Sequence, residues 1–181
     1  MKYRQKVLLY LVDALNDEGK KITKTFLDKL LIVAAKETAL NEKPFYNFYP
    51  HHFGPFSDSY YADFEQLNRN GYLRGFDVTP IGVVVVKTVR KKDKAIGEDL
   101  SKRFKNQQQV VDYVYAQYPE YTVKSQLPHA TPYNAGPGIF SIGYQGKDSD
   151  AFLDVLIQNQ IQEVVDVRAN PLVNPLSKTL N

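Results

Sequence analysis

Hydrophobic positions near the start of the chain follow the spacing of helices. Apolar residues recur every three or four positions over residues 3–16, and a second such stripe follows Thr23, which can cap its first turn. Ser57 can cap a third helix, which Asn70-Gly71 closes. The pattern therefore predicts three helices in succession.

Runs rich in aromatic and β-branched residues predict strands. Residues 45–49 are predicted as a short strand, and residues 72–76 and 81–89 as a hairpin that turns through residues 77–80. Three short helices followed by a hairpin describe a winged helix-turn-helix. A further amphipathic helix is predicted over residues 107–118.

The pattern changes after residue 118. Residues 119–138 hold prolines and glycines without periodicity, which predicts a linker. Beyond it, a strand at 139–142, a glycine turn, a helix and a strand at 164–168 predict a βαβ unit. The predicted fold class is α+β: a winged-helix domain with a supporting helix (1–118), the linker, and an incomplete Rossmann-like α/β segment (139–181).

The predicted segment at 139–181 is too small to bury a core of its own. Parallel sheets are normally covered on both faces, and a unit of this size has a marginal core. The chain therefore looks truncated within its second domain. We expect this segment to lean on the first domain, to be completed by a protein partner or by self-association, or to be poorly ordered.

The composition excludes several classes of protein. The sequence is 43% hydrophobic and 24% charged, which is typical of a soluble globular chain. No apolar run approaches the ~18 residues that cross a bilayer, and the start leads into no signal-peptide core. Without cysteine it can form no disulfide, thiolate nucleophile or zinc finger. We predict a cytoplasmic protein with no membrane partner, no metal site and no cofactor.

Two clusters of ring side chains are considered as a metal site and a nucleobase site, and neither function is predicted for them. His51 and His52 are adjacent, so on an extended chain they point oppositely, and no acidic or sulfur ligand stands at useful spacing. One imidazole is expected to pack on the neighbouring aromatics. The aromatics at 45–49 could stack on nucleobases, but such residues more often fill a core, which is the prediction here.

Charge is unevenly spread along the chain. The net charge is +3, yet residues 87–105 hold eight basic residues against three acidic ones, a balance of +5. Residues 139–181 hold three basic against five acidic ones, a balance of −2. This asymmetry fits an anionic partner for the middle of the chain, although a solvated charged connector would show it as well. The candidate contacts to nucleic-acid phosphates are Lys87, Arg90, Lys91, Lys92 and Lys94.

Two functions compete for the first domain. The basic run, at the end of the predicted wing, favours duplex DNA. The predicted recognition helix does not, because it carries Asp58, Asp63 and Glu65 against Arg69 alone. Winged helices also dock proteins. We expect a DNA-associated regulatory module, with a protein-interaction or sensor module as the alternative.

Segments of the first domain resemble a known winged-helix family. FLDKLL at 26–31, HFGPFS at 52–57 and LNRNGYL at 67–73 resemble the winged-helix domains of YwgA-like and SocA/Panacea-like bacterial proteins. The resemblance implies a bacterial winged-helix protein.

The C-terminal segments resemble the start of a DUF488 domain. The resemblance rests on SIGYQG at 141–146, FL at 152–153 and VVDVRANP at 164–171. It implies a Rossmann-like α/β domain, in a family largely without an assigned activity. In that family a Ser-Arg and a Phe-Ser/Asn-Lys segment normally follow, whereas this chain reads LVNPLSK at 172–178 and then ends.

A ligand site is predicted in this C-terminal segment. Asp166 and Arg168 share one face at the carboxyl end of the second predicted strand, where α/β folds place their ligand crevice, so they are the candidate catalytic residues. The backbone N–H groups of the glycine turn could hold an anion, and the candidate anion-binding residues are Gly143, Tyr144, Gly146 and Arg168. Alternatively, Asp166 and Arg168 pair with each other or with backbone. An enzyme for a phosphorylated or nucleotide ligand would need further walls of the crevice, so we expect no activity from this chain alone.

Overall fold

The computed structural model describes residues 1–126, 138–143, 145–147, 149–159, 161 and 163–167. The described helices are α1 (Tyr3–Asp17), α2 (Lys24–Glu37), α3 (Asp58–Arg69), α4 (Pro80–Lys87), α5 (Lys91–Arg103), α6 (Gln107–Gln117) and α7 (Ser149–Gln158). The described strands are β1 (Tyr49–His51), β2 (Gly54–Phe56), β3 (Leu73–Arg74) and β4 (Asp77–Val78), which form two antiparallel pairs, β1–β2 and β3–β4. This mixture of helices and small antiparallel sheets confirms an α+β fold.

The core is built around α1 and α2, whose sequences are apolar over much of their circumference. Helix α1 contacts α3, α4 and α5, while α2 packs against α6 and β2. The predicted caps are confirmed: the hydroxyl of Thr23 accepts from the N–H of Phe26 at 3.0 Å, and that of Ser57 from Tyr60 at 3.4 Å. These caps satisfy N–H groups that the first helical turn leaves without partners.

The first predicted strand is placed too early in the sequence. Residues 45–48 form no strand, and β1 begins at Tyr49, which pairs with Phe56 of β2. Phe45, Tyr46 and Phe48 are buried instead, which confirms that these aromatics fill the core. Burial of the rings, rather than ladder pairing, decides the conformation of this segment.

The predicted second strand of the hairpin is wrong, because residues 80–87 form helix α4. Thr79 caps it by accepting from the N–H of Gly82 at 3.2 Å, and Pro80 occupies the first helical position. Both features favour a helix start over the strand preference of the valines that follow. The hairpin that remains is β3–β4, two residues on each side.

Helix α5 has no counterpart among the predicted elements. Its buried positions are Asp93, Gly97, Leu100 and Ser101, of which only Leu100 is a large hydrophobic residue. A Cβ atom at Gly97 would lie 2.8 Å from the ring of Tyr10, so α1 and α5 meet closely there. Since α5 buries small and polar residues, it has no apolar stripe from which it could be predicted. Helix α6 has such a stripe, and its prediction is confirmed.

In the C-terminal segment the predicted helix is present, but the described residues of the two predicted strands form no strand. Helix α7 is confirmed, whereas residues 139–142 and 163–167 are described and contain no strand. Helix α7 lies against β1 and the 3₁₀ turn Pro119–Tyr121, and its Asp154 is bound by Lys36 of α2. The division into two domains and a linker stays a prediction, and residues 127–137 of that linker lie outside the described residues.

Candidate functional site

The junction of α4 and α5 holds the basic run and exposes an apolar helix face. On its inner side α4 buries Gly82 and Val86. A Cβ atom at Gly82 would lie 2.4 Å from the carbonyl oxygen of Tyr72, so only glycine lets the helix approach the β3–β4 hairpin this closely. The opposite side of α4 therefore faces outward.

The outward face of α4 is apolar. Ile81 is 62% exposed and Val84, one turn later, is 64% exposed. The side chain of Val83 is 37% exposed. Residues 81–86 are apolar on every side of the helix. Packing one side of α4 against the core therefore leaves apolar side chains exposed on the other side. Monomeric proteins rarely expose contiguous apolar surface without a use for it.

Arg90, one of the five predicted phosphate contacts, is paired with a buried carboxylate although its own side chain is 39% exposed. Its Nε and Nη2 atoms donate to the two carboxylate oxygens of buried Asp93 at 2.7 and 2.8 Å, and Nη2 also donates to the hydroxyl of Tyr3 at 3.2 Å. These hydrogen bonds raise the pKa of Arg90. The side chain therefore links the start of α5 to α1, and its charge is already paired with that of Asp93.

Two further predicted contacts are also engaged. The Nζ atom of Lys92 lies 2.7 Å from a carboxylate oxygen of Glu42, and this contact lowers the pKa of Glu42. The Nζ atom of Lys94 donates to the carbonyl oxygen of Lys87 at 3.4 Å and lies 5.7 Å from the ring centre of Tyr10. The charge of Lys92 is thus paired at the surface with a carboxylate, whereas Lys94 contacts only a carbonyl oxygen and a ring among these groups.

Lys87 and Lys91 differ from the other three. Both are exposed, and neither has an ion-pair partner among the described residues. A third cation joins them, since the Nζ atom of Lys6 on α1 donates to the hydroxyl of Thr88 at 3.4 Å. The basic site is thus a junction of α1, α4 and α5, and its predicted place on a wing is wrong because residues 80–87 are helical.

The acidic character of α3 is smaller than its sequence indicates. Asp63 is buried and accepts from the Nε of Arg4 at 2.6 Å, the Nε2 of Gln5 at 2.9 Å and the hydroxyl of Tyr46 at 3.3 Å. The sequence-based prediction treats the Asp63 carboxylate as a surface charge, which is wrong. Its position on the same helix face as Phe64 and Leu67 is the signal that places it inside.

A buried ion pair, absent from the sequence-based predictions, lies under the β1–β2 hairpin. The Nζ atom of Lys29 lies 3.2 Å from Oδ2 of Asp28 and donates to the carbonyl oxygen of Pro55 at 2.9 Å. No hydrogen-bond donor among the described residues reaches Oδ1 of Asp28. Burial raises the pKa of Asp28 to about 6, against the pull of Lys29, and lowers the pKa of Lys29. The pair joins α2 to the hairpin.

A cleft of about 430 Å³ lies between the end of α2, the segment 41–48 and Asp154 of α7. Lys36 and Asp154 stand in it, with Nζ 3.1 Å from each carboxylate oxygen, and the hydroxyl of Tyr121 also donates to Asp154. The two charges neutralise each other. The bonds to Asp154 join α7 to α2, and the pair leaves no uncompensated charge in the cleft.

The predicted C-terminal ligand residues are only partly described. Gly146 lies in a turn, the Nζ atom of Lys147 donates to the carbonyl oxygen of Gly143 at 3.0 Å, and Asp166 is exposed. Tyr144 and Arg168 lie outside the described residues, so the pairing of Asp166 with Arg168 stays a prediction. The described ranges hold no group of three or more metal-ligating side chains.

No protein-family model, curated protein or solved structure matches the chain. Within the ranges that the structure describes, no helix has the length and apolar character needed to cross a membrane.

Proposed function

We propose that this chain is a protein-interaction module that docks a partner on the outward face of α4. The observation that carries the proposal is the exposure of Ile81 and Val84, more than three-fifths each, on a helix whose other side is buried. Burying one such side chain in an interface contributes about 1.5–3 kcal/mol. Valine and isoleucine are stiff at χ1, so little side-chain entropy opposes their burial.

The test is affinity purification of the full chain at about 0.5 M salt, where screened ionic contacts are weak. A bound protein should be retained by the wild type and reduced at least about tenfold by Val84→Asp. The matched control is Val123→Asp, because Val123 is also exposed but lies in a different part of the fold. Equal retention by Val84→Asp and the wild type would reject the docking face.

Duplex DNA binding is a second candidate, supported by the convergence of Lys6, Lys87 and Lys91 at one junction. Each neutralised phosphate contributes a slope of about −0.9 to the dependence of log K on log salt. Three lysines therefore predict a slope of about −2.7, weaker than five would give. A low-salt titration should show this slope, and Lys87→Gln/Lys91→Gln should reduce it while Lys105→Gln does not. Absence of binding at low salt would reject this candidate.

We extend the proposal to the architecture and the location of the chain. The motif resemblances support a winged-helix-like first domain, in which β3–β4 would be a short wing, followed by a DUF488-like segment that the module serves. We also propose a cytoplasmic location, because a cysteine-free chain does not need an oxidising compartment to form disulfides. Secretion of the full-length protein from its native cell would contradict that location.

A further inference from the structure

Four side-chain rings form a continuous column along the β1–β2 hairpin and onto α3. The ring centres of His52 and His51 lie 4.7 Å apart, those of His51 and Phe56 4.6 Å apart, and those of Phe56 and Tyr61 4.6 Å apart. The angles between successive ring planes are 29°, 31° and 25°. This near-parallel arrangement is the one in which bases stack on protein rings.

The column is held by contacts on several sides. Tyr49 packs edge-on against His51 and Phe56, and its hydroxyl donates to Asp58 at 2.8 Å. At the inner end the ammonium of Lys24 lies 5.7 Å from the ring centre of Tyr61. The column is therefore built before any ligand arrives, which lowers the entropic cost of stacking on it.

The outer end of the column is His52, which is exposed and makes no further ring contact among the described residues. The N–H of Gln126 donates to the carbonyl oxygen of His52 at 2.9 Å, and the hydroxyls of Ser125 and Tyr115 lie 2.5 Å apart. These bonds fix the segment that carries Lys124 beside His52.

Lys124 places a positive charge at this end. It is exposed and has no ion-pair partner among the described residues. Burial lowers the pKa of His51, and His52 and Lys124 lower it further against the opposing effect of the Asp58 carboxylate. An exposed ring at the end of the column, bonded through its backbone to the segment that carries an exposed lysine, suits a base linked to a phosphate.

We propose that His52 and Lys124 bind one unpaired nucleotide of a single-stranded nucleic acid, with the base stacked on the imidazole and the phosphate at the ammonium. A proline-rich peptide would also meet ring faces but has no anionic group for Lys124. The proposal is independent of the α4 docking face and of the basic junction, since its residues lie on the hairpin and after α6.

The test is fluorescence anisotropy of a labelled oligothymidine of about 12 nucleotides with the full chain at low salt. The wild type should bind, His52→Ala should weaken binding about tenfold, and His52→Phe should retain it because a ring remains. Lys124→Gln should weaken binding and lower the salt slope by about 0.7, whereas Lys105→Gln should do neither.

Several outcomes would overturn the proposal. One is that the wild type does not bind the oligonucleotide at low salt. Another is that the wild type and His52→Ala bind it with equal affinity. A third is that a polyproline peptide displaces the oligonucleotide. Binding of free thymidine monophosphate as tight as that of the strand would also overturn it, because the site would then belong to a free nucleotide. A strand whose binding is lost in Lys87→Gln/Lys91→Gln but kept in His52→Ala and Lys124→Gln would lie on the basic junction instead, and this result would also overturn the proposal.

Discussion

The ammonium nitrogen of Lys29 lies 2.9 Å from the carbonyl oxygen of Pro55, inside the core and between α2 and the β1–β2 hairpin. A lysine is fully buried only when its charge has partners, and here the partners are this carbonyl and Asp28. One buried cation thus adds to the packing that joins the hairpin, with its ring column, to the helical core.

Replacing Lys29 by methionine should therefore destabilise the protein strongly. The substitution leaves the Asp28 carboxyl buried without its cation, and breaking a buried pair in this way costs about 3–5 kcal/mol. Urea denaturation of the wild type and of Lys29→Met measures the loss.

The double substitution Asp28→Asn/Lys29→Met is the control for this prediction. It removes both charges, so it should be more stable than Lys29→Met alone, although the carbonyl of Pro55 still loses its donor. A double variant at least as unstable as the single one would contradict the role of the buried charge.

Asp28 should also make stability depend on pH. Burial raises its pKa in the folded protein from 3.8 to about 6, so the folded state binds a proton that the unfolded state releases. This contribution is fully present below 3.8 and is lost as the pH rises through about 6. The free energy of unfolding of the wild type, measured relative to Asp28→Asn, should therefore fall over this range.

His51 acts in the opposite direction and provides the control. Its pKa is lowered from 6.5, so its contribution is present above 6.5 and is lost as the pH falls. The Asp28 dependence should be clearer in a His51→Phe background. A wild-type curve parallel to that of Asp28→Asn in this background would show that Asp28 does not titrate near 6.

The helices of the core are readable from the sequence, but α4 and α5 are not. Helices α1 to α3 have apolar stripes and caps at Thr23 and Ser57, which are local signals. The run at 81–86 is apolar at every position, so its periodicity cannot separate a strand from a helix. The signal that decides it is Thr79-Pro80, a cap followed by a proline in the first turn.

The candidate site shows a different limit of sequence reasoning. Five basic side chains can be counted from the sequence, but their availability depends on Tyr3, Glu42 and Asp93. Two of these residues are far from the basic run in the sequence and meet it only in the folded chain. Which lysines remain unpaired is therefore a property of the tertiary structure.

Two acidic residues of α3 should differ sharply in their contribution to stability. Asp63 is buried with three donors around it, whereas the exposed Glu65 pairs with Lys24 at 3.1 Å. Asp63→Ala should cost about 3–5 kcal/mol, because Arg4 and Gln5 lose their acceptor inside the protein. Glu65→Ala should cost at most about 1 kcal/mol, as exposed ion pairs do. Chemical denaturation compares the two, and equal losses would contradict the burial of Asp63.

Gly82 should tolerate a methyl group less well than Gly97 does. A Cβ atom at Gly82 would lie 2.4 Å from the backbone oxygen of Tyr72, which cannot move without shifting the hairpin. At Gly97 the nearest atom, at 2.8 Å, belongs to the ring of Tyr10, and a side chain can shift slightly with less strain than backbone even though Tyr10 is buried. Alanine gains about 1 kcal/mol of helix propensity at either site, so overpacking of about 1–3 kcal/mol should dominate at Gly82 only. Thermal unfolding of Gly82→Ala and Gly97→Ala measures the difference. A Gly82→Ala protein as stable as Gly97→Ala would mean that α4 can move away from the hairpin, and its apolar face would then have no fixed orientation for a partner.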